Sequence, residues 1–265
     1  KAHIYSAFGT VYSFQSKYKK AIEVYQKALE IEIVLNDRFL EADILINIGI
    51  AYRNSGQLEE ALKSNEEALN ITREIGYRRG EGLSLGSLGI TYKELGMLEE
   101  ALKIFTEALE IAREIGDCRG EGITLGKIGT IYKKSGMHEQ ALKSYSEALG
   151  IAQEIGNKRN EGQALGNIGN IHQNLGQHEE AIKYLQQALG IAREIGNKRD
   201  EGINLGNLGD IFLKLNRLEE AKIHLRQGID ICDESFSIAA GFFRGSLALL
   251  HATQGNIEKA EIALE

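Results

Sequence analysis

Residues 85–108 read LGSLGITYKELGMLEEALKIFTEA, and this stretch decides the fold. Leu85, Leu88 and Tyr92 recur at helical spacing and mark one buried face. After Gly96 a second stripe follows: Leu98, Ala101, Leu102, Phe105 and Ala108, continued by Leu109 and Ile111. The pattern predicts helix A from about Glu81 to Leu95 and helix B from about Leu98 to Ile115. Gly89 sits inside helix A, where glycine costs about 1 kcal/mol relative to alanine. Close approach of helix B would account for it. Ala101 and Ala108 likewise put a small face of helix B against its neighbours.

The same reading repeats in steps of forty residues. Gly9, Gly49, Gly89, Gly129, Gly169 and Gly209 form one column, and Ala21, Ala61, Ala101, Ala141, Ala181 and Ala221 another. Ala28, Ala68, Ala108, Ala148 and Ala188 form a third, closed by Gly228. Gly56, Gly96, Gly136, Gly176 and Asn216 end helix A, and Asn36, Gly76, Gly116, Gly156 and Gly196 end helix B. Glycine replaced by asparagine is the signature of a left-handed helix cap. The units run at about 1–40, 41–80, 81–120, 121–160, 161–200 and 201–235. A degenerate cap at 236–265 is shifted by one residue, with Ala248 in the glycine column and His251 in the tyrosine column. One helix pair cannot bury its own stripe, so neighbouring pairs must stack. The expected fold is all-α: a single right-handed superhelical solenoid of six to seven antiparallel helix pairs. Both ends fall inside helical patterns, so the chain is expected to be a piece of a longer polypeptide.

Leu88-Gly89, Tyr92, Ala101, Phe105 and Ala108 resemble the tetratricopeptide (TPR) signature. The period of forty departs from the common thirty-four. The signature tryptophan is Leu45, Leu85, Leu125, Leu165 and Leu205, or Tyr5, and the closing proline is glycine. These features are similar to the forty-residue repeats of LGN/Pins-type adaptors and, more loosely, kinesin light chains. Similar arrays also occur as sensor segments of signalling ATPases and caspase-like proteases. The resemblance implies a scaffold that holds an extended peptide on the concave surface lined by helices A. The alternative it implies is a sensor segment regulating a larger enzyme.

Composition narrows the partner. The chain has 265 residues, no proline, thirty glycines and a formal net charge of −7. An acidic balance argues against nucleic acid, which needs a surplus of Lys and Arg. No stretch is apolar for long enough to cross a membrane. Cys118 and Cys232 lie in different repeats and suggest neither a disulfide framework nor a zinc site, which favours a reducing, cytoplasmic setting. No nucleophile, base and oxyanion set is visible, so the chain is not expected to be an enzyme, and no cofactor is implied.

By helical phase and by the resemblance, the groove columns lie two and three before the signature glycine, one after it, and four and five after it. The candidate peptide-binding residues are Asn47, Arg53, Ser87, Lys93, Lys127, Lys133, Lys134, Asn167, Asn170, Asn174, Asn207 and Asp210. A side-chain amide donates and accepts, so the asparagines suit an extended main chain. In the resembling adaptors, asparagines of this kind clamp the ligand backbone. The cations suit acidic ligand residues. Gly86, Gly126, Gly166 and Gly206 sit in mid-helix, where close approach of a ligand backbone, a tight turn of the superhelix or inheritance by repeat duplication would each account for them. Arg79, Arg119, Arg159 and Arg199, each two residues before Glu81, Glu121, Glu161 or Glu201, are expected to form an ion-pair ladder at the inter-repeat turns. His138 and His178 fall in a packing column, and Asn65 stands where other units carry Tyr25, Phe105 or Tyr145.

Overall fold

The computed structural model describes residues 1–264. The chain divides into two compact units, Lys1–Ser135 and Gly136–Glu265. The first holds α1 (Ala2–Phe14), α2 (Tyr18–Leu35), α3 (Arg38–Asn54), α4 (Leu58–Glu74), α5 (Arg78–Glu94), α6 (Leu98–Glu114) and α7 (Cys118–Lys134). The second holds α8 (His138–Glu154), α9 (Lys158–Asn174), α10 (His178–Glu194), α11 (Lys198–Lys214), α12 (Leu218–Ser235), α13 (Ser237–Thr253) and α14 (Ile257–Leu264). Each unit is an all-α stack in which consecutive helices pack on one another and alternate helices such as α3 and α5, or α11 and α13, also touch. Among the described residues no helix is long and apolar enough to cross a membrane.

Short turns of one geometry recur in both units, though not between α12 and α13, where Phe236 is extended at φ −162°. Between α5 and α6, Gly96 takes φ +81°, and its N–H and that of Met97 donate to the carbonyls of Lys93 and Tyr92 at 3.2 and 2.9 Å. This closes the helix end without a bulky side chain in the left-handed region. Asn36 and Asn216 take φ +57° in the two cap columns, as the glycine-to-asparagine exchange requires. Ser16 occupies the same cap position in the first pair with φ +55°.

Helix A starts earlier than the periodicity suggests, at Arg78 rather than Glu81. The reason is an N-cap column that the apolar pattern does not reveal. Asp37, Asp117, Asn157 and Asn197 each accept an N–H three residues on, at 2.8–3.2 Å. Such a cap is worth about 1 kcal/mol.

The small columns are in contact as expected. A Cβ built on Gly89 would lie 2.6 Å from the ring of Phe105, and one on Gly169 would lie 2.8 Å from Leu185. Ala21, Ala61, Ala101, Ala141, Ala181 and Ala221 have no exposed surface. In α1, Ile4, Phe8 and Val11 are exposed, although their counterparts in the next pair, Ile44, Ile48 and Ala51, are buried.

Asn65 is the flaw in this core. It is fully buried against Gly49, its amide nitrogen donates to the Ala61 carbonyl at 2.7 Å, and its Oδ1 has no partner. Leu185 and Leu225 fill the same column in the second unit without exposed surface. Asn65→Leu removes an unsatisfied buried acceptor, which costs about 1–3 kcal/mol. The expected outcome is a higher urea midpoint with an unchanged slope; a lower midpoint would show that the amide is needed where it stands.

Candidate functional site

The partly exposed side of helices A carries the candidate residues. On the first unit Arg53 of α3, Lys93 of α5 and Lys127 and Lys133 of α7 are half-buried, while Lys134 is exposed. Glu94 is a carboxylate among them, 4.0 Å from Arg53 Nε. Burial pushes the Lys127 amine down to about 8, and the nearby charges of Lys93 and Arg53 push it in the same direction. Its Nζ stands 5.9 Å from the centroid of the buried Phe105 ring. Lys93 and Lys133 are also lowered, chiefly by burial and then, with other charges, by Lys134. Burial lowers Arg53 as well, against the opposing pull of Glu94. Positive charge is therefore held where water is partly excluded, at a cost to the fold.

Beside these cations lies a cavity of about 460 Å³. Ile46 and Ile50 of α3, Leu83 and Ile90 of α5, Ala108, Ile111 and Ala112 of α6, Ile115 at the C-cap of α6 and Ile123 of α7 make its apolar lining. Gly82, Gly86, Ser87 and Thr124 line it too. Ser87 is buried and its hydroxyl has no partner. Arg53, Arg79, Arg119 and Lys127 stand among the lining residues, and Asp117 is the one acid described there. Asp117 is already engaged as the cap of α7 through Gly120 N.

The arginine ladder needs correction. Arg79 and Arg119 are exposed and stand among the cavity-lining residues, while Arg199 stacks over Phe236 with 4.3 Å to the ring centroid. Arg79 does face an acid of the neighbouring repeat: burial raises the Asp43 carboxyl of α3, and Arg79 draws it down against that larger effect. The glutamates of the ladder do pair, but with other cations. Glu81 meets Arg73 at 3.0 Å and Arg78 at 2.5 Å. Glu121 meets Arg113 at 2.7 Å, and Glu161 meets Lys158 at 3.0 Å. Glu201 meets Arg193 at 3.1 Å and Lys198 at 2.8 Å. Burial disfavours the Glu201 carboxylate, yet Lys198 and Arg193 outweigh that and hold it below its ordinary value. The cause is the early start of helix A: residues such as Arg78 and Lys198 occupy its first turn and reach the glutamate one turn on.

The asparagines are partly engaged with the protein itself. Asn47 Nδ2 donates to the Asp43 carbonyl at 3.0 Å, and Asn207 Nδ2 donates to Asn170 Oδ1 at 2.9 Å. Asn167 and Asn170 line a smaller polar hollow of about 210 Å³ with Gln163 and Asn204, while Asn174 is exposed. Asp210 is half-buried beside Ser246 of α13, with Oδ1 unpartnered, and burial raises its carboxyl above the usual range. His138 and His178 are partly buried, each with an unpartnered Nδ1. Among the described residues no group of three or more His, Cys, Asp or Glu could hold a metal ion.

The mid-helix glycines divide into two kinds. A Cβ on Gly86 or Gly126 would meet nothing within 4 Å. One on Gly206 would collide with the Phe243 ring, and one on Gly166 would touch Asn204 at 3.2 Å. Packing explains the second pair and leaves the first without an internal reason.

Several known proteins share this architecture. The sensor-bearing signal transduction ATPase with numerous domains from Pyrococcus horikoshii superposes with a TM-score of 0.85 at 22% identity over 99% of this chain. The chain spans 42% of that protein's length. A Rap protein complexed with Competence and Sporulation Factor gives a TM-score of 0.68 at 17% identity, covering 97% of this chain and 76% of the other. A putative kinesin light chain with nearly identical TPR-like repeats, from Podosopora anserina, gives 0.62 at 16%, covering 74% and 96%. No curated protein matches the chain. The tetratricopeptide-repeat family model matches residues 40–114, 81–154, 120–194 and 160–234, and a second model of the same description matches 2–32. With these matches and the helix-pair stack together, the chain belongs to the tetratricopeptide repeat family.

Proposed function

We propose that the chain is a protein-binding scaffold whose first unit holds an extended, acidic segment of a partner protein against the cation-bearing side of α3, α5 and α7. One observation carries the reading: Arg53, Lys93, Lys127, Lys133 and Lys134 crowd together, several of them half-buried, in a protein of net charge −7. A fold does not gain stability from such a cluster, whereas an anionic ligand relieves its repulsion and is drawn to it by the local field. The Rap protein of similar fold is seen in complex with Competence and Sporulation Factor, so a related architecture can hold a partner. In the second unit the same columns carry Asn167, Asn170, Asn174 and Asn207, whose amides suit main-chain pairing. The proposal includes no catalytic step. A sensor segment of a larger protein would use the same face; the likeness to the sensor-bearing ATPase motivates that second reading, and the domains joined to the chain would distinguish it.

The test is charge reversal. Titrated with its acidic partner, the Lys133→Glu, Lys134→Glu double variant should bind more than tenfold more weakly, over about 1.4 kcal/mol. Added salt should weaken the wild-type complex as well. Equal affinities at both salt concentrations would place the ligand elsewhere.

A further inference from the structure

We propose that the cavity between α3, α5 and α7 receives a large apolar side chain of the bound segment over Gly86, with acidic residues of the same segment on either side of it. This rests on the reading above and names the ligand's chemistry.

The protein itself shows what fits over a glycine at this position. In the second unit the ring of Phe243 lies against Gly206, so close that even a methyl group there would collide. Asn204 covers Gly166 less tightly, its Oδ1 3.2 Å from where a Cβ would stand. Asn204 lies thirty-eight residues beyond Gly166, and the residue thirty-eight beyond Gly86 is Thr124. Thr124 is short, and the space over Gly86 stays open. An aromatic or branched aliphatic group from outside would take the place that Phe243 takes over Gly206.

The walls agree with such a guest. The column of Ile50 and Ile90 becomes Thr130, Asn170 and Asp210 in later repeats, so this part of the apolar lining is confined to the repeats that form the cavity. The cavity volume of about 460 Å³ exceeds that of one side chain and leaves room for a neighbour. The charge distribution sets the flanks. Arg79 and Arg119 lie in the first turns of α5 and α7, whereas Lys127 and Arg53 lie further along their helices. Arg119 and Lys127 are eight residues apart on one helix, about 12 Å at 1.5 Å per residue. An extended segment covers that distance in about four residues. Two acidic positions about four apart, enclosing the apolar residue, match both sets of cations.

A library of short random peptides displayed on phage and selected against the intact chain reads this directly. Enriched peptides should carry Phe, Leu, Ile or Met between two acidic positions about four residues apart. Gly86→Leu fills the space from within and Thr124→Phe imitates Phe243, so each should reduce binding of the enriched peptides at least tenfold. Arg119→Glu, at an exposed position, should shift the selection away from one of the two acids. Unchanged helicity and melting of Gly86→Leu and Arg119→Glu would show that the fold is intact. Acidic peptides with no apolar preference, bound equally by wild type and Gly86→Leu, would overturn this inference while leaving the scaffold reading standing. Absence of any enriched peptide would overturn the scaffold reading itself.

Discussion

Gly89→Leu is expected to melt well below the wild-type chain, whereas Gly86→Leu, three residues away on the same helix, is not. A Cβ at position 89 would lie 2.6 Å from Cε1 of Phe105, a ring with no exposed surface and no room to withdraw. The same contact is made by Gly9 on Tyr25 at 2.5 Å and by Gly209 on Leu225 at 2.7 Å, so the column is a property of the repeat. Gly129, buried on α7, falls in the same column and carries the same expectation. Overpacking typically costs about 1–3 kcal/mol, and a whole leucine pressed between two helices belongs at or above the upper end. The gain in helix propensity returns somewhat less than 1 kcal/mol. At position 86 only that gain remains, because no atom lies within 4 Å of the added Cβ. Thermal melts followed by circular dichroism compare the two; equal behaviour would mean that helices A and B do not meet where the structure places them.

Lys127→Met is expected to stabilise the free protein and to weaken its complex with an acidic partner. The amine is lowered from an ordinary value of 10.5 to about 8 by burial and by Lys93 and Arg53. Its charge therefore opposes folding. The groups facing it come from three neighbouring helices: Arg53 on α3, Lys93 on α5 and the Phe105 ring on α6. Because the folded value lies below the unfolded one, the penalty is complete below about pH 8. It is relieved as pH rises from there towards the unfolded value, since the unfolded chain then binds more protons than the folded one. A tenfold loss of proton affinity on folding corresponds to about 1.4 kcal/mol, so the variant gains about 1–3 kcal/mol at pH 7. That advantage should shrink by more than half by about pH 9.5. Denaturant titrations of both proteins at the two pH values test this. A gain that does not change with pH would trace to the thioether's packing instead of the lost charge.

The repeat is legible in the sequence because its columns are geometric. Gly89, Ala101 and Phe105 recur wherever two helices must touch, and one residue type per column suffices to mark them. The N-cap column is harder to see, since Tyr77 interrupts Asp37, Asp117, Asn157 and Asn197. Overlooking it displaces the start of helix A and with it the partner of Glu81, which is held by Arg73 and Arg78 and not by Arg79. The cation cluster is visible from helical phase taken together with the family resemblance. The cavity beside it is not, because its lining is drawn from three helices A and one helix B. A signal is nonetheless present: Ile50 and Ile90 turn into Thr130, Asn170 and Asp210 down one column.

Turns of one geometry have a consequence for how such a gene changes length. Residues 148–162 read ALGIAQEIGNKRNEG and residues 188–202 read ALGIAREIGNKRDEG, so the coding sequence invites misaligned exchange between neighbouring copies. An exchange in register adds or removes forty residues, keeps the reading frame, and rejoins helices through the same left-handed glycine, here Gly156 in place of Gly196. The product inherits a matched interface at the new junction, because Ala148 and Ala188 are both small and buried. Length thus becomes a heritable variable that selection can adjust in whole helix pairs, while each helix A face remains free to diverge toward a different guest.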